Sequence, residues 1–134
     1  MPHEAEIRTV DADTDVAIDP HSIVVQHHRA GTAEIRLEQL SGGHLLHLAL
    51  AGCVFNNVLR LARQKGISVD EASIRVSGDF TADGDSTGID CEVKVLGGAT
   101  PEQLRALARE AFDNSTVGVV LKRATKVELL PSQG

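Results

Sequence analysis

The first forty residues place their apolar positions in short β-branched runs separated by turn residues. Ala5–Val10 and Val16–Ile18 flank the polar stretch Asp11-Ala12-Asp13-Thr14-Asp15, which predicts a hairpin. Ser22–His28 carries Ile23, Val24 and Val25, and Ala33–Leu37 alternates apolar with charged residues. These predict two more strands around the turn Arg29-Ala30-Gly31-Thr32. The period then changes. Ser41 is placed to cap a helix starting at Gly42, and no proline interrupts the run to Lys65. Arg60, Arg63 and Lys65 crowd the last turn, where cations suit the helix dipole, and Gly66 supplies the stop. The run is apolar on almost every side as far as Leu61. Such a helix has to be covered all round, and a single sheet covers only one face.

Two strands follow. Ala72, Ile74, Val76 and Phe80 alternate with polar residues in Ala72–Phe80, and Ile89, Cys91, Val93 and Val95 do the same in Gly88–Leu96. The loop Asp83-Gly84-Asp85-Ser86-Thr87-Gly88 joins them as a hairpin, and its acids lack the twelfth-position Glu of a calcium loop. Thr100-Pro101-Glu102-Gln103 is a capping box with Pro at the first helical position, followed by the stripe Leu104, Leu107, Ala108, Ala111 and Phe112. Asp113-Asn114 breaks that helix, Ser115–Arg123 predicts a further short one, and Val127–Leu130 predicts a closing strand. The pattern is that of one α+β domain over residues 1–134. Its parts are N-terminal strands to residue 40, a central helix at 42–66, a β-hairpin at 70–97, and helices with a final strand at 100–130.

Composition narrows the function without naming one. Among 134 residues the only aromatics are Phe55, Phe80 and Phe112, so the core is aliphatic and no Trp or Tyr platform exists for stacking nucleobases. Residues 1–20 hold six acids against Arg8, which accounts for −5 of the net −6. The remainder is nearly neutral and has no basic patch, so nucleic-acid binding is not expected. The acidic N-terminus lacks an apolar run, so no secretory signal is expected and the expected compartment is the cytoplasm. Gln39–Leu59 carries no Asp, Glu, Lys or Arg over 21 residues. Its strictly apolar part is only Leu48–Phe55, too short for a bilayer of roughly 30 Å. A buried helix is expected, and no membrane span.

Two cysteines are too few for a disulfide scaffold. Cys53 lies inside the central helix and shares its face with Leu46, Ala49, Leu50, Asn56, Asn57 and Arg60. A cysteine in such company reads by itself as a small core hydrophobe, since reactivity requires a nearby cation or helix N-terminus. Cys91 shares its strand face with Ile89, Val93 and Val95, so burial is expected. His44 and His47 stand one turn apart, a spacing that two metal ligands can use, but Cys53 points to nearly the opposite side. His27 and His28 alternate across a strand, so only one can join them. The better reading of His44 and His47 is as polar residues closing the start of a buried helix, with no metal and no cofactor. The chain has no nucleophile elbow, P-loop, dinucleotide fingerprint or H-E-x-x-H.

The element order, with Gly43-His44-Leu45-Leu46, Ala49-Leu50-Ala51-Gly52-Cys53, Gln64-Lys65-Gly66-Ile67, Thr100-Pro101-Glu102-Gln103-Leu104 and the segment from Ala111 to Leu121, resembles the OsmC/Ohr family (osmotically inducible protein C and organic hydroperoxide resistance proteins). The resemblance runs from about residue 20 to the end. It implies an intertwined homodimer in which a buried Cys-bearing helix is flanked by antiparallel β-sheets from both chains. It also implies that Cys53 occupies the position of the peroxide-attacking thiolate. Ser115 then stands where the family's resolving Cys is expected, and Gly43 where a Glu is expected. The activating Arg, which comes from an N-terminal strand or hairpin, is Arg29 or Arg8. Two functions follow from the resemblance. One is a one-Cys, thiol-dependent hydroperoxide reductase recycled by an external thiol, acting on a small organic hydroperoxide. The other is a noncatalytic dimer that binds a small apolar ligand at the subunit interface.

Overall fold

The computed structural model describes residues 2–10 and 20–131. Strands β1 (His3–Thr9), β2 (Ser22–His27) and β3 (Gly31–Leu37) lead into helix α1 (Gly42–Lys65). Strands β4 (Val69–Phe80) and β5 (Ser86–Gly97), helices α2 (Pro101–Asp113) and α3 (Thr116–Lys122), and strand β6 (Val127–Leu129) follow among the described residues. The six strands form one sheet in the order β2-β3-β1-β4-β5-β6. All neighbours are antiparallel except β5 and β6, which are parallel. Within the chain the described strands make one sheet, antiparallel throughout except where β6 joins β5. The parallel pair arises because α2 and α3 carry the chain back across the sheet before β6 begins. β1 is paired on both edges, with β3 and β4; the hairpin partner expected at Val16–Ile18 lies outside the described residues.

Strand alternation decides which face α1 covers. Ala5 and Ile7 of β1, Ala33 and Leu37 of β3, Ala72, Ile74 and Val76 of β4, and Ile89, Cys91 and Val93 of β5 are all buried on one side. Register keeps them together, with Ile7 opposite Ile35 and Ile74, and Val76 opposite Cys91. Against them α1 packs Leu50, Ala51, Val54, Phe55, Val58, Leu61 and Ala62. Full burial of a Leu or Phe side chain stabilises a fold by about 1.5–3 kcal/mol, so this layer is the main source of stability. The opposite sheet face is charged. Arg75 reaches Glu4 at 3.6 Å and Glu92 at 3.4 Å, exposed pairs that contribute little.

The ends of α1 follow local chemistry. Ser41 Oγ accepts the His44 N–H at 3.2 Å, and Gly66 closes the helix with φ 70°, a conformation that favours glycine. At 24 residues α1 is long and apolar enough to cross a membrane by composition. Its buried face nonetheless lies on β1 and β4, which makes it a core helix. α2 docks alongside. Its capping box forms as the sequence requires, with Gln103 N–H on Thr100 Oγ1 at 3.2 Å and Thr100 N–H on Gln103 Oε1 at 3.0 Å. Asn57 Nδ2 donates to Ala111 O at 3.1 Å, and Lys65 Nζ meets Glu110 Oε2 at 2.9 Å, tying the two helices together.

Candidate functional site

The side of α1 turned away from the sheet is not polar. It presents Leu45 (45% exposed), Leu46 (38% exposed), Ala49, Gly52, Cys53, Asn56 and Arg60. Cys53 is half-buried there. Leu50 and Asn57, which the helical wheel groups with Cys53, turn instead into the core and toward α2.

Arg29 reaches the same face from the turn between β2 and β3. Its Nε donates to Asn56 Oδ1 at 2.8 Å, and Asn56 is one helical turn beyond Cys53. The hydrogen bond ends on Asn56 and not on the sulfur. The backbone of that turn is held by His27, whose Nδ1 accepts the N–H groups of Arg29 at 3.1 Å and Ala30 at 3.2 Å. The His27 ring stands edge-on to Phe55 of α1 at 5.0 Å and stacks on His28 at 4.8 Å. Burial pushes the His27 pKa below its ordinary value, and the nearby His28 and Arg29 push it further the same way.

Arg8 and Arg60 take other partners. Arg8 alternates with the buried Ile7, so it lies on the sheet face away from α1, paired to Glu34 at 2.9 Å. This removes Arg8 as an activating residue within the chain. Arg60 turns to Asn57 Oδ1 at 3.4 Å.

Ser115 is fully buried and caps α3, its Oγ accepting the Gly118 N–H at 3.0 Å. Its hydroxyl has a structural role and no redox chemistry. Gly43 backs onto the His3 ring, where an added Cβ would lie 2.6 Å from His3 Cδ2. His3 thus fills the space into which a Glu at this position would grow.

His44 and His47 are buried at the start of α1, as polar closers of the helix end. His44 Nδ1 pairs with Ser41 Oγ at 2.6 Å, and His47 Nδ1 donates to Gly43 O at 2.6 Å. His3 sits against both, with ring centroids at 4.9 Å and 6.1 Å. The rings pack face and edge, and among the described residues no group of three His, Cys, Asp or Glu side chains is arranged to hold a metal. Burial lowers the His47 pKa, and its bond to Gly43 opposes that.

Cys91 is the contrast. It is fully buried between sheet and helix, and burial pushes its thiol up to about 12. A cavity of about 380 Å³ lined by residues such as Asp79, Asp90, Lys126 and Glu128 opens at the β4–β5 end, and Cys53 is not among its walls.

Sequence reasoning missed two parts of this site. One is the His27 acceptor, legible in principle as a side chain two and three residues ahead of turn N–H groups. The other is His3, whose contact with α1 is non-local and leaves no local signal.

The chain matches a family model described as OsmC-like protein over residues 31–130. The chain belongs to the OsmC-like family. Solved structures agree in fold. An OsmC-like protein of unknown function from Vibrio cholerae aligns at 17% identity and TM-score 0.51, covering 65% of this chain and 62% of that one. This chain therefore spans somewhat under two thirds of that relative. An organic hydroperoxide resistance protein OsmC from Legionella pneumophila aligns at 16% identity and TM-score 0.55, covering 86% and 97%. An OsmC-like hydroperoxide resistance protein from Jannaschia sp. aligns at 14% identity and TM-score 0.56, covering 99% and 95%. No curated protein matches the chain. At these identities the structural likeness establishes the fold, while the chemistry has to be argued from the residues.

Proposed function

We propose that this OsmC-like protein is a one-Cys, thiol-dependent hydroperoxide reductase that acts as a cytoplasmic homodimer. The observation that carries the reading is the Arg29–Asn56 bond of 2.8 Å, which fixes a guanidinium on the Cys53 face of α1. The Cys53 thiolate attacks the distal oxygen of an organic hydroperoxide. An S–O bond forms, the O–O bond breaks, and the alkoxide leaves and takes a proton to become the alcohol. Arg29 supplies positive charge near the attacking sulfur and the departing alkoxide, where such charge lowers the barrier. Cys53 is left as a sulfenic acid. With Ser115 capping α3 and Cys91 sealed in the core, the chain offers no resolving thiol near a half-exposed Cys53. An external thiol attacks the sulfenic sulfur and releases water, and a second thiolate frees Cys53 with formation of the reductant's disulfide.

The dimer is supported by the same helix face. Leu45 and Leu46 are exposed, and a Cβ on Gly52 would meet nothing within 4 Å, which leaves room for a second backbone. Protein with excess dithiol and cumene hydroperoxide is expected to consume peroxide, and Cys53→Ser is expected to give only the background rate. Equal rates at the no-protein background would reject the enzyme. Saturable binding of an apolar probe under those conditions would then favour the noncatalytic dimer.

A further inference from the structure

We propose that His27 is a positioning residue. Its unprotonated Nδ1 latches the β2–β3 turn and so holds Arg29 on the Cys53 face, and a proton on that nitrogen opens the latch. The functional half of this inference rests on the hydroperoxide-reductase reading, whereas the latch itself is a property of the fold.

The geometry fixes the protonation state. Nδ1 accepts two backbone N–H groups, from Arg29 at 3.1 Å and Ala30 at 3.2 Å. An imidazole nitrogen that accepts carries no proton, so the neutral ring has its proton on Nε2. Protonation turns Nδ1 into a donor facing two donors, and both bonds are lost. The consequence is confined to a short connection, because His27 pairs with Gly31 across the ladder and only residues 28–30 lie between. Arg29 is the middle residue of that connection, and its side chain spans from the turn to Asn56 on α1. Releasing its backbone N–H frees the root of the side chain while the far end is held by a single hydrogen bond.

The surroundings keep the latch closed at neutral pH. The charged or titratable groups bearing on His27 are His28, stacked at 4.8 Å, and Arg29, and both disfavour a proton on it. From α1 the contact is the uncharged Phe55 ring, and from β3 the ladder partner is Gly31. No carboxylate among these groups offsets the cost, so the latch opens only below the ordinary histidine range near pH 6.5.

Two substitutions separate the acceptor from the ring. In His27→Asn the Oδ1 falls close to the place of Nδ1 and accepts at every pH. In His27→Phe the ring that meets Phe55 is kept and the acceptor is lost. Peroxide consumption is followed from pH 5 to 8 beside amide and Arg29 Nε–H resonances in ¹⁵N spectra. The wild-type rate constant is expected to fall about tenfold with one protonation below pH 6.5, in step with shifts of the Arg29 and Ala30 amides, tenfold corresponding to the loss of one good hydrogen bond. His27→Asn is expected to lose this step and keep a rate near that of the wild type at pH 7.5. His27→Phe is expected to be about tenfold slow even at pH 7.5, with the Arg29 Nε–H signal broadened into exchange with water.

Amides that do not follow the His27 titration, or a pH profile shared by wild type and His27→Asn, overturn the proposal. If no variant turns over peroxide at any pH while the amides and the Nε–H signal follow His27, the reductase reading fails and the latch stands.

Discussion

Cys53 and Cys91 are the same chemical group on opposite sides of one helix. Cys91 looks from β5 toward the buried face of α1, is fully enclosed, and has its thiol pushed up to about 12 by burial. Cys53 lies on the outer face of α1, half-buried, one turn from an asparagine that holds an arginine. Both sit among aliphatic side chains, so hydrophobic company alone does not separate an inert thiol from a reactive one. What differs between them is exposure, and the arginine that another element places on an asparagine one turn from Cys53. The inner face of α1 carries the stability, and the outer face is where the proposed chemistry is placed.

Substitutions can test how cleanly those two roles divide. Phe55 is fully buried on the inner face, and Phe55→Ala is expected to cost about 3–5 kcal/mol of unfolding free energy, read from urea denaturation. A loss under about 1 kcal/mol would mean that α1 is not held by this layer. On the outer face, Asn56→Ala is expected to leave stability nearly unchanged and to lower peroxide consumption about tenfold, close to 1.4 kcal/mol of transition-state stabilisation. Unchanged turnover would show that the Arg29 anchor is dispensable.

The smallest effect concerns pH. His47 is buried and its folded-state pKa lies below the unfolded value, so the unfolded chain takes up the proton first. Stability is therefore full above about pH 6.5 and declines as pH falls from there through the depressed folded pKa. Melting temperatures between pH 7.5 and 5.5 check this. His47→Asn, which keeps a donor for Gly43 O and does not titrate, is expected to flatten the curve. His3, His44 and Asp79 are the groups that face His47, and their presence in the variant keeps the comparison internal.

Much of the scaffold was legible because its signals are local. Ser41 and Gly66 bound α1, and Thr100, Pro101 and Gln103 start α2, through side-chain to backbone bonds that span three or four residues. Strand alternation placed Cys91 in the core before any pairing was known. Strand order was not legible, since β1 lies between β3 and β4 through contacts that loop closure brings together from distant segments. The same reason hid the site's second half. Arg29 was one of two arginines with equal claim, and only the side of the sheet on which Arg8 emerges separates them. Ser115 was legible as a missing cysteine, while its duty as the α3 cap became plain only with the Gly118 N–H aimed at its oxygen.

The most direct test of a reactive Cys53 is to locate the sulfenic acid. Protein treated with one equivalent of cumene hydroperoxide in the presence of dimedone is digested, and the adduct is assigned by mass spectrometry. The expected result is an adduct on the peptide containing Cys53 and none on the peptide containing Cys91. An unmodified Cys53, or an adduct shared equally by the two cysteines, would contradict the division between the two faces of α1.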